Sequence, residues 1–176
     1  MPGSTAAEKS WILSPGVCDN PKADTGMAKI CLVCSSGGHF LELICLNSLW
    51  QQHQRFWVTF QGKDTESVLQ EESVRWAYQP TNRKVINCLR NFVLALRILP
   101  REKPDLIISS GAGVSVPFIY AGRLLGIPCL YLESLTRVKT LSLSAKLVYP
   151  VVDVLLVQWP GLAARYKKAR FHGRVV

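Results

Sequence analysis

Two segments of this chain place serine and glycine where a short apolar run gives way to a helical pattern. The first holds Ser36, Gly37 and Gly38, follows the apolar run 30–34 and leads into His39. Glycine lets the backbone approach a ligand closely, and the free N–H groups at the start of a helix favour phosphate. A plain turn that needs only small residues is the alternative. We expect a phosphate or diphosphate contact here.

A second segment of the same kind, residues 109–117, follows the apolar run 106–109. Parallel strands end at one edge of their sheet, and open α/β sheets bind their ligands at that edge. We therefore expect both turns to contribute backbone donors to one anion site. The residues predicted to form it are Ser36, Gly37, Gly38, Ser110, Gly111, Ala112, Gly113 and Ser115.

Two titratable residues are candidates for catalysis at the same edge. His39 lies at the mouth of the first turn, where it can take a proton from a hydroxyl nucleophile, cap the helix or touch a phosphate. Glu133 directly follows residues 128–132, which are predicted to form the fifth strand. It can act as a base or hold sugar hydroxyls, and the alternative is a salt bridge to Arg137 or Lys139.

The first turn lacks the features of common nucleotide motifs. No Lys follows it, as a P-loop would require. Position 42, where a dinucleotide-binding turn would have a small residue, is Glu42, and the second strand ends in residues 60–62 without an acid. NAD binding is therefore disfavoured, and we expect no cofactor.

Six cysteines are present, and most of them lie in apolar runs, where Cys behaves as a small hydrophobe. Cys31 and Cys34 form a C-x-x-C motif, but no second pair stands at ligand spacing. We expect no metal site, and we expect buried, reduced thiols in a cytosolic protein.

The positive charge is concentrated in the second half of the chain. The formal net charge is +9, and 15 of the 21 Lys and Arg residues lie within 80–176. The predicted helix 82–99 interleaves apolar residues with basic ones, which suits either core packing with a solvated basic face or contact with anionic headgroups. No nucleic-acid motif accompanies the charge, so no nucleic acid is expected. The membrane-facing candidates are Arg83, Lys84, Arg90 and Arg97.

Strand and helix patterns alternate from residue 29 to the end of the chain. Such alternation predicts an α/β fold, a Rossmann-like doubly wound parallel sheet. Residues 1–26 have no hydrophobic period and are expected to form a flexible tail before a domain of residues 27–176. No secretory signal or transmembrane helix is expected.

The ordered set of motifs resembles a family of sugar transferases. Residues 36–39 resemble the Gly-Gly-His turn of MurG-like and dolichol-pathway UDP-GlcNAc transferases. Their second glycine loop and the strand after it resemble residues 110–117, 124–128 and 131–134. Residues 141–150 and 157–160 are similar to bacterial PssD-type subunits of capsule and exopolysaccharide synthesis.

This resemblance implies the N-terminal, acceptor-side half of a GT-B glycosyltransferase. Such a subunit would need a PssE-like donor-binding subunit to transfer a sugar from a UDP-sugar to a polyprenyl-diphosphate-linked sugar, and it would be inactive alone. It implies the cytoplasmic face of a membrane and no metal, with His39 and Glu133 as candidates for the base. The eukaryotic relatives carry an N-terminal membrane anchor that residues 1–26 lack, so attachment is expected to be peripheral or to depend on the partner subunit. Two alternatives remain: a non-catalytic scaffold that recruits a complete transferase to a membrane, and a small nucleotide-binding module.

Overall fold

The computed structural model describes residues 26–81 and 85–175, and within them it shows one parallel sheet of seven strands with helices between them. The strands are β1 Lys29–Val33, β2 Gln54–Thr59, β3 Val74–Trp76, β4 Leu106–Ser109, β5 Cys129–Leu132, β6 Val154–Leu156 and β7 Ala169–Arg170. The helices are α1 Gly38–Cys45, α2 Asn47–Trp50, α3 Lys63–Val68, α4 Val85–Glu102, α5 Ser115–Leu124, α6 Leu143–Val148 and α7 Pro160–Ala163.

The strand order is β3-β2-β1-β4-β5-β6-β7. In β1, Cys31 lies opposite Phe56 of β2 and opposite Ile107 of β4. The chain therefore builds outward from β1 in one direction and from β4 in the other, so the order reverses between these two central strands. Ligands of open α/β sheets bind in the crevice at such a reversal. The predicted doubly wound α/β fold is confirmed.

Both faces of the sheet are covered, which explains why the strands are apolar throughout rather than alternating. Along β1, Cys31 and Val33 belong to one core cluster, while Ile30 and Leu32 belong to the other. Helices α4, α5 and α6 contribute to the first cluster, and α1 and α2 contribute to the second. The result is a three-layer arrangement with the sheet in the middle.

The apolar spacing after the first glycine turn predicts one helix over residues 39–52, but the structure divides it into α1 and α2. The Leu43 carbonyl accepts both the Trp50 indole N–H at 3.0 Å and the Leu46 N–H at 3.2 Å. In a continuous α-helix the Leu43 carbonyl would accept the N–H of residue 47. Here the other two donors occupy it, so one helix ends and the next begins at Leu46.

Pro100 directly follows the predicted helix 82–99 and is expected to end it. This expectation was wrong, because α4 continues to Glu102 with Pro100 inside its last turn. Glu102 holds that turn by ion pairs to Lys29 at 2.8 Å and to Arg75 at 2.6 Å. The Lys103 N–H then closes the helix on Leu99 at 2.8 Å. A proline so close to the end removes one bond without breaking the helix.

The end of the chain, residues 173–176, is expected to form a last strand, but the structure shows none at residues 173–175. Strand β7 is Ala169–Arg170, where the Leu155 and Val157 N–H groups bond to the carbonyls of Lys168 and Arg170. Residues 1–25, Arg83 and Lys84 lie outside the described residues, so the tail and the domain boundary stay predictions. No helix among the described residues is both long and apolar enough to cross a membrane.

The contact of α5 with the sheet allows a test of the core. Gly122 faces β4 and β5, and a Cβ there would clash with Ile107 Cδ1 and lie 3.1 Å from Cys129 Sγ. We expect Gly122→Ala to lower the free energy of unfolding by about 1–3 kcal/mol, as overpacking does. Urea unfolding measures this, with Gly161→Ala as the control, since nothing lies within 4 Å of that position. Equal stability of the two variants would contradict this packing.

Candidate functional site

The two glycine turns lie side by side because they follow β1 and β4, which are neighbours in the sheet. The Ser110 hydroxyl donates to the His39 carbonyl at 2.5 Å, so one turn is bonded to the other. A Cβ on Gly111 would lie 2.9 Å from His39 Cε1 and 3.1 Å from Tyr131 Oη. The backbone of the second turn thus rests directly on the imidazole of the first.

A cleft of about 440 Å³ opens above these turns at the carboxyl edge of the sheet. Its lining includes His39, Ala112 and Gly113 from the turns, together with residues 79–81 on one side. The other side is the loop 134–142, which brings Arg137 to the cleft. The arrangement combines backbone donors, one histidine and one cation, and such a combination suits an anionic ligand.

In the first turn, Gly37 and Gly38 serve different purposes. Gly37 has φ +77°, which favours glycine, and its N–H donates to Asp64 Oδ2 at 2.7 Å. Gly38 has no positive φ, and nothing lies within 4 Å of where its Cβ would be. Neither conformation nor packing therefore requires glycine at position 38. Ser36 is half-buried beside them, and α1 has no side-chain cap, so its first N–H groups remain for a ligand.

In the second turn, the serine side chains shape the loop. Ser110 and Ser115 are fully buried, and the Ser115 hydroxyl donates to the Gly111 carbonyl. Ser109 Oγ lies 2.5 Å from Ser115 Oγ and accepts the Gly111 N–H at 3.3 Å. Gly111 and Ala112 both have positive φ, at 117° and 68°. The hydroxyls of Ser110 and Ser115 are committed to the protein, so any contact with an anion falls to the backbone and to Ala112 and Gly113 at the cleft.

Glu133 is almost completely buried and fastens the loop that follows it. Its oxygens accept the Ser134 N–H at 2.9 Å and the Ser142 N–H at 2.7 Å. Burial raises the pKa of Glu133 above its ordinary value, although these N–H groups act in the opposite direction. Among the described residues, no ion pair joins it to Arg137 or Lys139. Both ends of the loop 134–142 are thus tied to one carboxylate.

Glu42 is the residue at this site that sequence reasoning missed. It is buried on α1, one turn after His39, and its Oε1 accepts the Leu135 N–H at 2.8 Å and the Ser134 hydroxyl at 2.9 Å. Its Oε2 lies 3.5 Å from His39 Nδ1. Burial alone would raise the pKa of Glu42, but the nearby imidazole and the loop donors outweigh burial and leave it lowered. The available signal was the three-residue spacing from His39, which places both side chains on one helix face.

The five described cysteines are free, and Cys31, Cys34 and Cys129 are buried. Burial raises the pKa of Cys34 to about 12 and that of Cys129 to about 12, which makes both inert thiols. In the described part of the chain, no group of three or more His, Cys, Asp or Glu side chains is placed to hold a metal ion.

Solved structures resemble this fold at low sequence identity. MurG of Acinetobacter baumannii matches with a TM-score of 0.70 at 18% identity, over 84% of this chain and 45% of that chain. A UDP-GlcNAc 2-epimerase from Neisseria meningitidis, bound to UDP-GlcNAc, matches with a TM-score of 0.66 at 14% identity, over 83% and 46%. The expected equivalence to the N-terminal half of a MurG-like GT-B enzyme is confirmed as a likeness of fold.

Curated proteins match at higher identity. The human UDP-N-acetylglucosamine transferase subunit ALG14 is 38% identical over 98 residues, which cover 52% of this chain and 45% of the human protein. The ALG14 subunit of Debaryomyces hansenii is 30% identical over 179 residues, covering 85% of this chain and 77% of that protein. With several of these relatives, including the human one, the chain aligns over about half of their length. Residues 30–175 match the family model described as "Oligosaccharide biosynthesis protein Alg14 like". The chain belongs to this Alg14-like family.

Proposed function

We propose that this chain is the acceptor-binding subunit of a two-subunit UDP-GlcNAc transferase in lipid-linked oligosaccharide or exopolysaccharide synthesis. A PssE-like subunit would bring the UDP-sugar, and this chain would hold a polyprenyl-diphosphate-linked sugar. The relatives named as UDP-N-acetylglucosamine transferase subunits support the reaction class and the need for a partner.

One observation carries the placement of the acceptor diphosphate at the first turn, directly before His39, which lines the cleft. Gly38 lies at the start of α1 with open space where a side chain would be, and the fold itself gives no reason for a glycine there. A diphosphate seated against the first N–H groups of α1 supplies that reason, because its oxygens need the backbone uncovered. Gly38 itself is not among the residues that line the cleft, but its neighbour His39 is, and Arg137 adds a positive charge there.

His39 is the better placed of the two candidate bases. It lines the cleft, and its side chain is 30% exposed, whereas both oxygens of Glu133 are bonded to backbone N–H groups. In the reaction, an acceptor hydroxyl would pass its proton to His39 Nε2 as its oxygen attacks the anomeric carbon. The bond from that carbon to the diphosphate of the UDP-sugar breaks, and UDP leaves with the electron pair.

The exposed face of α4 supports peripheral attachment to the cytoplasmic face of an anionic membrane. Ile86 and Leu89 are 68% and 64% exposed, and Arg90 and Arg97 are exposed on the same helix. Apolar side chains among cations fit a surface that lies in the headgroup region.

This face of α4 is joined to the cleft. The buried Asn91 bonds in both directions to the backbone of Tyr78, and Asn87 donates to the Pro80 carbonyl at 2.9 Å. These bonds fix residues 78–81 between the helix and the cleft, which residues 79–81 line. A lipid tail in the membrane and its diphosphate in the cleft can therefore belong to one acceptor molecule.

Filling the space at position 38 tests the acceptor site. With the donor subunit, a UDP-sugar and a polyprenyl-diphosphate sugar present, we expect Gly38→Val to raise the KM for the lipid acceptor about 10-fold or more, since about 1.4 kcal/mol of binding is lost per tenfold. The free energy of unfolding of this variant, measured in urea, should stay within about 1 kcal/mol of the wild-type value. Gly161→Val is the control for adding the same side chain in open space.

An unchanged KM in Gly38→Val would contradict the diphosphate site. Transfer by this chain without any partner would contradict the division between two subunits. Saturable binding of a free nucleotide in place of the lipid would favour the nucleotide-binding alternative. Full turnover in a His39→Ala variant that still binds vesicles would favour the scaffold.

The structural role of Glu133 can be tested without measuring catalysis, through the pH dependence of the free energy of unfolding. Above its ordinary pKa of 4.5 the unfolded chain loses the Glu133 proton before the folded chain does, because the folded pKa is raised. Wild-type stability therefore falls relative to Glu133→Gln as pH rises from 4.5 toward neutrality, on top of a constant offset for the lost acceptor oxygen. Urea unfolding across this range measures the difference, with Glu66→Gln as the control for removing one surface charge. A difference that does not change with pH would contradict the raised pKa.

Membrane contact is tested with vesicles. Replacing Arg90 and Arg97 together by Gln should weaken binding to phosphatidylglycerol-containing vesicles by about 30-fold, since each basic residue near an anionic surface contributes about 1 kcal/mol. The control removes the same charge from other helices by Lys63→Gln with Lys146→Gln, both exposed. Co-sedimentation is the measurement, and an equal loss in both double variants would show that net charge, not this face, governs binding.

A further inference from the structure

Glu42 has two oxygens in different surroundings. The residue is 6% exposed, and its Oε1 accepts bonds from Leu135 and Ser134 in the loop 134–142. Its Oε2 is buried and, among the described residues, has no hydrogen-bond partner. It lies 3.5 Å from His39 Nδ1, which is buried and without a partner in the same way. Two polar atoms that each lack a partner thus face each other.

The chemistry of the pair decides where the histidine proton lies. An unpaired polar atom in the interior costs about 1–3 kcal/mol, and a shift of the imidazole by a few tenths of an ångström would pair both atoms. A carboxylate oxygen can only accept a hydrogen bond, so the bond forms only if Nδ1 carries the proton. The lone pair of neutral His39 is then on Nε2.

The surroundings of the ring prevent it from turning away. The Gly111 backbone is packed against the edge formed by Cε1 and Nδ1, where a Cβ would lie 2.9 Å and 3.1 Å from these atoms. The His39 carbonyl is held by the Ser110 hydroxyl. Since Nδ1 is buried, the exposed part of the ring is its remaining edge, and His39 lines the cleft.

We propose that Glu42 is a positioning residue that selects the Nδ1–H tautomer of His39 and fastens the loop 134–142 to α1. One carboxylate thereby orients the base and holds the opposite wall of the cleft. The consequence for catalysis rests on the proposed function, in which Nε2 receives the acceptor proton. Glu42 would then also stabilise the imidazolium that forms.

The tautomer is measurable without a substrate or a partner. In the ¹⁵N-histidine-labelled full chain, long-range ¹H–¹⁵N spectra at mildly alkaline pH distinguish Nδ1–H from Nε2–H, and His39→Gln identifies the His39 signals. We expect Nδ1–H in the wild type. In Glu42→Gln the side-chain oxygen keeps its bonds to Leu135 and Ser134, so the amide NH₂ faces Nδ1 and donates to it, and the tautomer should invert to Nε2–H.

A wild-type Nε2–H tautomer would overturn the inference, and this result needs no variant to fold. An unchanged tautomer in Glu42→Gln would overturn it as well. Glu66→Gln, which removes an exposed carboxylate from α3, is the control and should leave the His39 signals as they are.

Kinetics test the catalytic consequence. In the reconstituted pair, Glu42→Gln should lower kcat by about 100-fold or more, the range of a lost general base, with the KM for the acceptor changed by less than about 3-fold. An unchanged kcat would overturn the positioning role. If the wild-type pair itself transfers no sugar, the proposed function is contradicted, and the tautomer measurement still decides the inference.

Discussion

The structure of the site depends on the close contact between the backbone at Gly111 and the imidazole of His39. This contact exists because β1 and β4 are paired, so that the turns following them reach the same point. Any side chain at position 111 would occupy the space of the ring, and the φ of +117° there disfavours one in addition. The hydrogen bond from the Ser110 hydroxyl to the His39 carbonyl holds the two turns together at the same place. The orientation of the histidine is therefore a property of the central strand pair rather than of a mobile loop.

The second wall of the cleft is irregular, and two buried carboxylates hold it. Glu133 accepts the N–H groups of Ser134 and Ser142, which stand at the two ends of the loop 134–142. Glu42, on α1, accepts the Leu135 N–H and the Ser134 hydroxyl. Backbone N–H groups are the natural partners of a buried carboxylate, because they satisfy its oxygens without adding a second charge. The opposite directions of the two pKa changes follow from this. At Glu42 burial is outweighed by the nearby imidazole and the loop donors, which lower the pKa, whereas burial dominates at Glu133 and raises it.

The fold was predictable from local patterns, and the site only in part. Apolar runs and glycine turns recur along the chain, so the parallel sheet and the meeting of the two turns at one edge follow from general rules for such sheets. The end of α4 depends on Glu102 and its ion pairs with Lys29 and Arg75, far away in sequence. Glu42 was missed for the same reason, since its partner Ser134 is 92 residues away. Sequence patterns report which residues share a face, but not which distant donors a buried carboxylate will meet.

A lipid diphosphate sugar has three chemically different parts, and a protein that holds it must place three kinds of surface next to each other. In the proposed function the segment 78–81 would do so, because Asn87 and Asn91 attach it to α4 while residues 79–81 line the cleft. Buried asparagines suit this purpose, since each satisfies backbone groups that have no strand partner. Through this segment the exposed apolar side chains of α4 are joined to one wall of the cleft, which His39 also lines. In the proposed function, the distance from the membrane to the reacting hydroxyl would therefore be set by one short segment of fixed backbone.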